Sequence, residues 1–216
     1  MKMAEYTFFF NPMSRAQIAR WALHEAKADY EQVFVPWDAK PQALLDANPL
    51  GKLPTIIHHQ GGQDHAVSEG AAVCHYLAEM SAPDMLPTSA AEKAAYFRWM
   101  FFAAGPLEQA VTARAMGWSE GDRQVMVGFG TYDRTMDALD QWLSTHDYVC
   151  GERFTMADVY VGSQVWWGLE FGSMPDRGSF KAYRDRVRAR PAADEAAAID
   201  NKLIAEMQAQ QGSNTQ

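Results

Sequence analysis

Between Tyr6 and Val35 the hydrophobic period changes twice, and few folds accommodate that. The run YTFFF at 6–10 is crowded with aromatic residues and breaks at Asn11-Pro12, so it reads as a strand ending in a turn. From Ser14 the apolar positions Ile18, Ala22 or Leu23 and Ala26 recur at helical spacing, and Tyr30 to Val35 reads as a second strand. A strand, helix, strand order implies a parallel pair joined by a crossover helix.

The next segments extend that unit. A short helix is expected around Pro41 to Ala47, then two small strands at Thr55 to His58 and His65 to Ser68, with Gly61-Gly62 supplying an antiparallel turn. A helix from Glu69 to Met80 completes a βαβ-ββα order, and SAPDMLPTSA, rich in Pro and Ser/Thr, reads as a connector. Beyond Ala91 everything reads as helix. Val125, Phe129, Tyr132, Met136, Leu139 and Trp142 step along one face of a single expected helix, in which Gly128 and Gly130 are weak points. Pro106 is expected to kink or interrupt the helix before it, and the tail QAQQGSNTQ is expected to fray. The fold class is thus α/β followed by all-α, with residues 1–82 as one domain, 83–90 as linker and 91–216 as a helical bundle.

Composition narrows the function. A net charge of −8 with scattered Lys and Arg offers no basic stripe, which argues against nucleic acid or an anionic membrane as partner. No apolar run reaches the roughly 20 residues that span a bilayer, and the N-terminal stretch has no signal-peptide pattern. Cys74 and Cys150 form no CxxC pair, and the histidines show no ligand spacing, so no metal is expected. A reduced, cytoplasmic protein is the expectation.

Three motifs sharpen the reading: NPLGKLPTI at 48–56, EGAAVCHYLAE at 69–79 and FTMADVYVG at 154–162. In order and spacing they resemble those of the cytosolic glutathione transferases, and the resemblance runs along the whole chain. It implies a thioredoxin-like glutathione-binding domain joined to a helical domain that lines the electrophile pocket. It also implies a cis bond at Leu53-Pro54, leaving the Leu53 backbone to pair with the cysteinyl part of glutathione in the manner of an added strand. Glu69 and Gly70 then hold the γ-glutamyl end at a helix N-terminus. The family commonly has Glu-Ser there; Gly70 keeps a backbone donor and loses a hydroxyl worth about 1.5–3 kcal/mol toward a charged group, and Ser68, just before Glu69, stands either to compensate or as a plain N-cap. Lys52, and after it Lys40, are the candidates for the glycyl carboxylate. Thr155 to Asp158 reads as a capping box with no catalytic part.

Family classes differ in the residue that stabilises the glutathione thiolate, a Tyr, Ser or Cys around the first turn. Here Phe10 ends the strand and no tyrosine stands at the usual place. Set against the Cys-x-x-Cys turn of thioredoxin-like proteins, Asn11 takes the first position and Ser14 the second, so cysteine-dependent reductase, omega-type and beta-type chemistry lacks its thiol, and the Ser-Ser-Cys signature of zeta-class isomerases is absent. Ser14 also opens S-R-A-Q, a capping-box pattern with Gln17. Its hydroxyl can accept from the helix backbone and still donate to sulfur. Ser14 is placed ahead of Asn11 as the thiolate donor, with Arg15 as electrostatic helper. Phe102, Met116 and Trp166 are the candidates for the electrophile pocket, although an aromatic stripe is as readily ordinary core.

The resemblance implies a homodimeric enzyme that uses glutathione as co-substrate against a small hydrophobic electrophile. Two readings compete with it: a binding or regulatory module of the same fold with little catalysis, and glutathione-dependent peroxidase or thiol-disulfide exchange.

Overall fold

The computed structural model describes residues 3–118 and 121–213. By contact the chain divides into two compact units, Met1–Asp84 together with Arg190–Gln216, and Met85–Ala189. This grouping departs from the boundaries read in the sequence at the C-terminal end, because the terminal helix lies along the first helix.

In the first unit, β1 (Tyr6–Phe10) is central, and all five of its residues are buried. β2 (Tyr30–Phe34) pairs with it in parallel, with Tyr6 opposite Tyr30 and Phe10 opposite Phe34, as the strand, helix, strand order requires. On the other side β3 (Thr55–Gln60) pairs antiparallel, and β4 (Gln63–Ser68) completes the order β2-β1-β3-β4. The hairpin between β3 and β4 closes on Gly61 and Gly62 at φ +63° and +77°. Two successive left-handed residues match the twist of the strands, and glycine adopts them without the Cβ penalty.

One face of the sheet carries α1 (Ala16–Glu25) and α3 (Gly70–Ser81). The other carries α2 (Gln42–Ala47), whose Leu44 packs with Phe9 and Val35, and with the partly buried Val33, Leu53 and Ile57. The terminal helix α9 (Pro191–Ser213) packs along α1. It continues into the residues expected to fray, where Gln208, Ala209 and two further Gln favour helix; residues 214–216 lie outside the described part.

The second unit is helical. α4 (Ala90–Phe102) is capped by Ser89, whose Oγ accepts the Glu92 N–H at 3.1 Å. At Pro106, where an interruption is expected, the backbone widens into a π-helical segment, Ala103–Leu107, before α5 (Glu108–Ala115). A residue without an N–H cannot serve the regular ladder, and the π turn absorbs the mismatch. The long helix expected from Val125 does not form: α6 is Tyr132–Leu143, and Val125 is 96 % exposed. Gly130 at φ +69° breaks the path, and Thr131 caps the helix by accepting the Arg134 N–H at 3.2 Å.

α7 (Met156–Glu170) begins at the expected capping box, and α8 (Gly178–Arg188) packs against it. Asp158 is fully buried, and its carboxylate accepts the N–H groups of Val149 and Thr155 and the Tyr183 hydroxyl, each at 2.9 Å. Burial pushes its carboxyl up to about 6 although those bonds pull it down.

Candidate functional site

The strand register brings the motif residues to one end of the sheet in the first unit. Phe9 pairs with Thr55 and Thr55 with Ser68. The turn after β1, Leu53-Pro54 before β3 and Glu69-Gly70 after β4 are therefore neighbours. The end of β2 joins them, since the Val35 N–H donates to Phe10 O at 2.8 Å.

Asn11 is 1 % exposed. Its Nδ2 donates to Val35 O and its Oδ1 accepts the Met13 N–H, both at 3.0 Å. The carboxamide thus closes an Asx turn and ties β1 to β2. Ser14 is half-buried; its Oγ donates to Asn11 O at 2.7 Å and accepts the Ala16 N–H at 3.1 Å. The expected reciprocal box with Gln17 is not formed, because Gln17 Nε2 turns outward from the helix start to Pro12 O, while the Ser14 N–H donates to Asn11 O at 3.1 Å. That second bond matters chemically. If the Ser14 hydroxyl rotates toward a sulfur, the Asn11 carbonyl keeps a donor. Arg15 is exposed beside it.

The loop before β3 is built on Asn48, which sequence reading passed over. Asn48 is buried; its Nδ2 donates to Lys52 O at 3.2 Å and Thr55 Oγ1 at 3.1 Å, and its carbonyl accepts the Gly51 N–H at 2.7 Å. Gly51 has φ +58°, and a Cβ there would stand 3.1 Å from Lys40 Nζ. The Lys40 side chain therefore lies against Gly51, the residue before Lys52, and both lysines are exposed. The Leu53-Pro54 bond is cis. Among the described residues neither the N–H nor the C=O of Leu53 has a backbone partner, which is the edge an extended peptide needs.

Glu69 is the residue before α3, at φ +69° and ψ 120°, a region costly for a side chain that is not glycine. Its side chain makes no cap, so it does not occupy the first amides of α3, beginning at Gly70, and a helix start of that kind suits an anion. Trp37, 56 % exposed, and Leu50, 70 % exposed, are large apolar side chains of the loops at this end, as is exposed Met13 in the turn after β1. The signal for Trp37 and Leu50 was an apolar residue in a loop segment, after the strand that ends near Val35 and after the short helix that ends at Ala47, where a solvated loop would carry polar residues.

In the second unit Phe102 stacks edge-on to Trp99 at 5.0 Å, Met116 is 61 % exposed, and Trp166 lies under the Arg188 guanidinium at 4.3 Å. No ring contact joins the three among the described residues. Neither thiol is nucleophilic in character: burial raises Cys74 strongly and pushes Cys150 up to about 12. Among the described residues no three His, Cys, Asp or Glu side chains cluster as metal ligands, and no helix is long and apolar enough to cross a membrane.

Residues 12–80 match the glutathione S-transferase N-terminal domain, and residues 98–191 match the C-terminal domain of the same enzymes. The chain belongs to the glutathione S-transferase family. Glutathione S-transferase 2 of Schizosaccharomyces pombe is 26 % identical over 178 residues, which cover 77 % of this chain and 74 % of that one. Elongation factor 1-gamma of Artemia salina is 30 % identical over 141 residues, 63 % of this chain; they span 31 % of the elongation factor, about a third of its length. A glutathione transferase family member from Pseudomonas fluorescens, solved with two glutathione molecules bound, shares the fold at TM-score 0.70, with 22 % identity over 90 % of this chain and 92 % of that one.

Proposed function

We propose that this transferase-family chain binds glutathione at the sheet end just described and holds its sulfur as thiolate for attack on a small apolar electrophile. The observation that carries this reading is the convergence of three polar features at one end of the sheet: the free backbone edge of Leu53, the start of α3 that no side chain caps, and the Ser14 hydroxyl, whose proton can leave Asn11 O without orphaning it. In the proposed complex the cysteinyl backbone pairs with Leu53. The γ-glutamyl carboxylate meets the amides from Gly70 while Glu69 faces its ammonium, and Lys52 or Lys40 faces the glycyl carboxylate. Ser14 turns its proton from Asn11 O to the sulfur, aided by the field of α1 and by Arg15.

The reaction is then simple in its balance. The thiolate lone pair forms the sulfur–carbon bond, and a leaving group departs with its bonding pair, or an enone carbon takes a proton after addition. The protein supplies placement and anion stabilisation. Phe102, Met116 and Trp166 are offered as apolar contacts for the electrophile. A cytoplasmic homodimer goes with this reading, as does a role in detoxification.

A binding module with little catalysis is the second reading. Gly70 lacks a side-chain hydroxyl at the start of α3, and the chain is also similar to a protein named elongation factor 1-gamma, not a transferase. Calorimetry with glutathione, followed by turnover with aryl halides, enones, epoxides and hydroperoxides, separates the readings. Binding at millimolar or tighter with conjugation supports the enzyme. No binding leaves the module, and turnover of hydroperoxide alone favours peroxidase chemistry.

A further inference from the structure

Arg20, in the middle of α1, is fully buried, an expensive place for a permanent cation. Its Nε donates to Asp200 Oδ1 on α9 at 2.9 Å, and its Nη1 donates to Gln32 Oε1 at 2.8 Å and to the Tyr30 hydroxyl at 3.2 Å, both on β2. The guanidinium lies 5.1 Å from the ring centre of Phe8 and 4.7 Å from that of Phe10, both on β1. A single side chain therefore touches α1, β1, β2 and α9.

Phe10 is the last residue before the Asn11–Ser14 turn, and Ser14 stands directly before the helix that carries Arg20. The cation thus bears on both arms of the turn. Around it α9 is fastened to α1 by further polar contacts: Arg190 Nε and Nη2 reach the two oxygens of Glu25 at 2.6 and 2.7 Å, and His24 Nδ1 stands 3.4 Å from Glu195. Glu25 also accepts the Trp21 Nε1–H at 2.9 Å.

Stability alone does not account for this arrangement. A buried ion pair is weak as a source of stability, since well-packed apolar residues commonly do as well, and its best-attested use is to specify one geometry. Among the described residues Arg20 Nη2 has no hydrogen-bond partner, so protein groups do not satisfy the whole guanidinium. We propose that Arg20 and Asp200 are positioning residues for the thiolate site: α9, through Asp200 and Arg20, fixes the axial placement of α1 against Phe10 and so the aim of the Ser14 hydroxyl. This rests on the reading of Ser14 as thiolate donor.

The test uses the full chain and two variants, Asp200→Asn and the double substitution Arg20→Met with Asp200→Leu, which removes both charges and keeps the core apolar. Two readouts are taken on protein shown by circular dichroism to be folded. The first needs no ligand: amide hydrogen exchange at Ala16 and Gln17, which bond to Ser14 Oγ and Ser14 O. It is expected to quicken about tenfold or more in both variants while β1 and β3 keep their protection. The second is conjugation of glutathione to an aryl halide as a function of pH. The expectation is a kcat down by about tenfold or more with little change in KM for the halide, and a pH profile moved upward by about one unit, the signature of a misplaced donor and not of lost protein.

Unchanged exchange at Ala16 and Gln17 in a folded variant overturns the proposal, whether or not glutathione binds. Quickened exchange with unchanged kcat and pH profile overturns it as well, leaving the pair as ordinary structure. If the wild type binds no glutathione, the thiolate reading falls on that result, and positioning through α9 is still judged by exchange. If Asp200→Asn does not fold, the double variant gives both readouts.

Discussion

The Ser14 hydroxyl donates to the carbonyl of Asn11 at 2.7 Å, while that carbonyl also accepts the Ser14 N–H at 3.1 Å. The proton a bound sulfur would take is engaged in the free protein, yet it leaves no orphaned oxygen when it turns away. Asn11 has no such freedom, because its carboxamide holds Val35 on one side and Met13 on the other.

Ser14→Ala is therefore expected to lower turnover at neutral pH by about tenfold or more, as one unit of thiol pKa corresponds to roughly 1.4 kcal/mol, with glutathione affinity little changed. Its cost in stability should stay within about 0.5–2 kcal/mol, the range for losing a helix-start acceptor. Asn11→Ala should instead act on stability first, since it opens a buried turn. Steady-state kinetics beside urea unfolding of both variants checks the contrast, and a turnover loss confined to Asn11→Ala would move the role there.

Gly70→Ser should tighten glutathione binding. A hydroxyl at the first position of α3 adds a bond to a charged group, about 1.5–3 kcal/mol, or roughly tenfold and upward in affinity. Isothermal titration of wild type and variant measures it, and equal dissociation constants would mean that the γ-glutamyl end does not lie at α3.

Asp158 makes the second unit sensitive to pH in a defined direction. Its folded carboxyl is raised to about 6 by burial, above the ordinary unfolded value, so the folded state holds the proton more tightly. The associated stability is fully present below about pH 4 and is lost as pH rises through about 6, on the order of 2–3 kcal/mol. Glu92 runs the other way: the Arg153 guanidinium and Thr88 hold it down at about 2, and its contribution is present above the usual carboxylate range and lost toward pH 2. Thermal melts between pH 4 and 7 should show the falling component in wild type and lack it in Asp158→Asn.

Gly168 on α7 has no room for a side chain. A Cβ there would stand 2.3 Å from Met174 Cγ and 2.9 Å from its Cβ, so Met174 would have to move bodily. Gly168→Ala should cost about 1–3 kcal/mol by overpacking, and combining it with Met174→Ala should cost less than the sum of the two. A double-mutant cycle in urea reads this directly.

Local patterns carried the first unit well. The aromatic run, the turn at Asn11-Pro12 and the helical spacing from Ile18 specify β1, α1 and β2 because each depends on neighbours in sequence. Thr155 and Asp158 were legible as a box for the same reason. Other features depend on distant partners: Arg20 and Asp200 are 180 positions apart, so nothing local marked the terminal helix as part of the first unit. Periodicity from Val125 misled because apolar spacing alone does not register that Gly130 turns left-handed and that Thr131 caps a new start. The direction of the Gln17 side chain, to Pro12 and not to Ser14, is likewise a packing outcome. Asn48 looked like one more loop residue until its bonds showed that the motif loop is built around it.

Ultraviolet absorbance of the glutathione thiolate in the wild-type complex, followed against pH, tests the central claim most directly. A free thiol of this kind titrates near 8.5. A site that aims a hydroxyl and a helix start at the sulfur predicts an apparent value at least about one unit lower in the complex. A complex that titrates like the free thiol, or no complex at millimolar glutathione, would contradict the account.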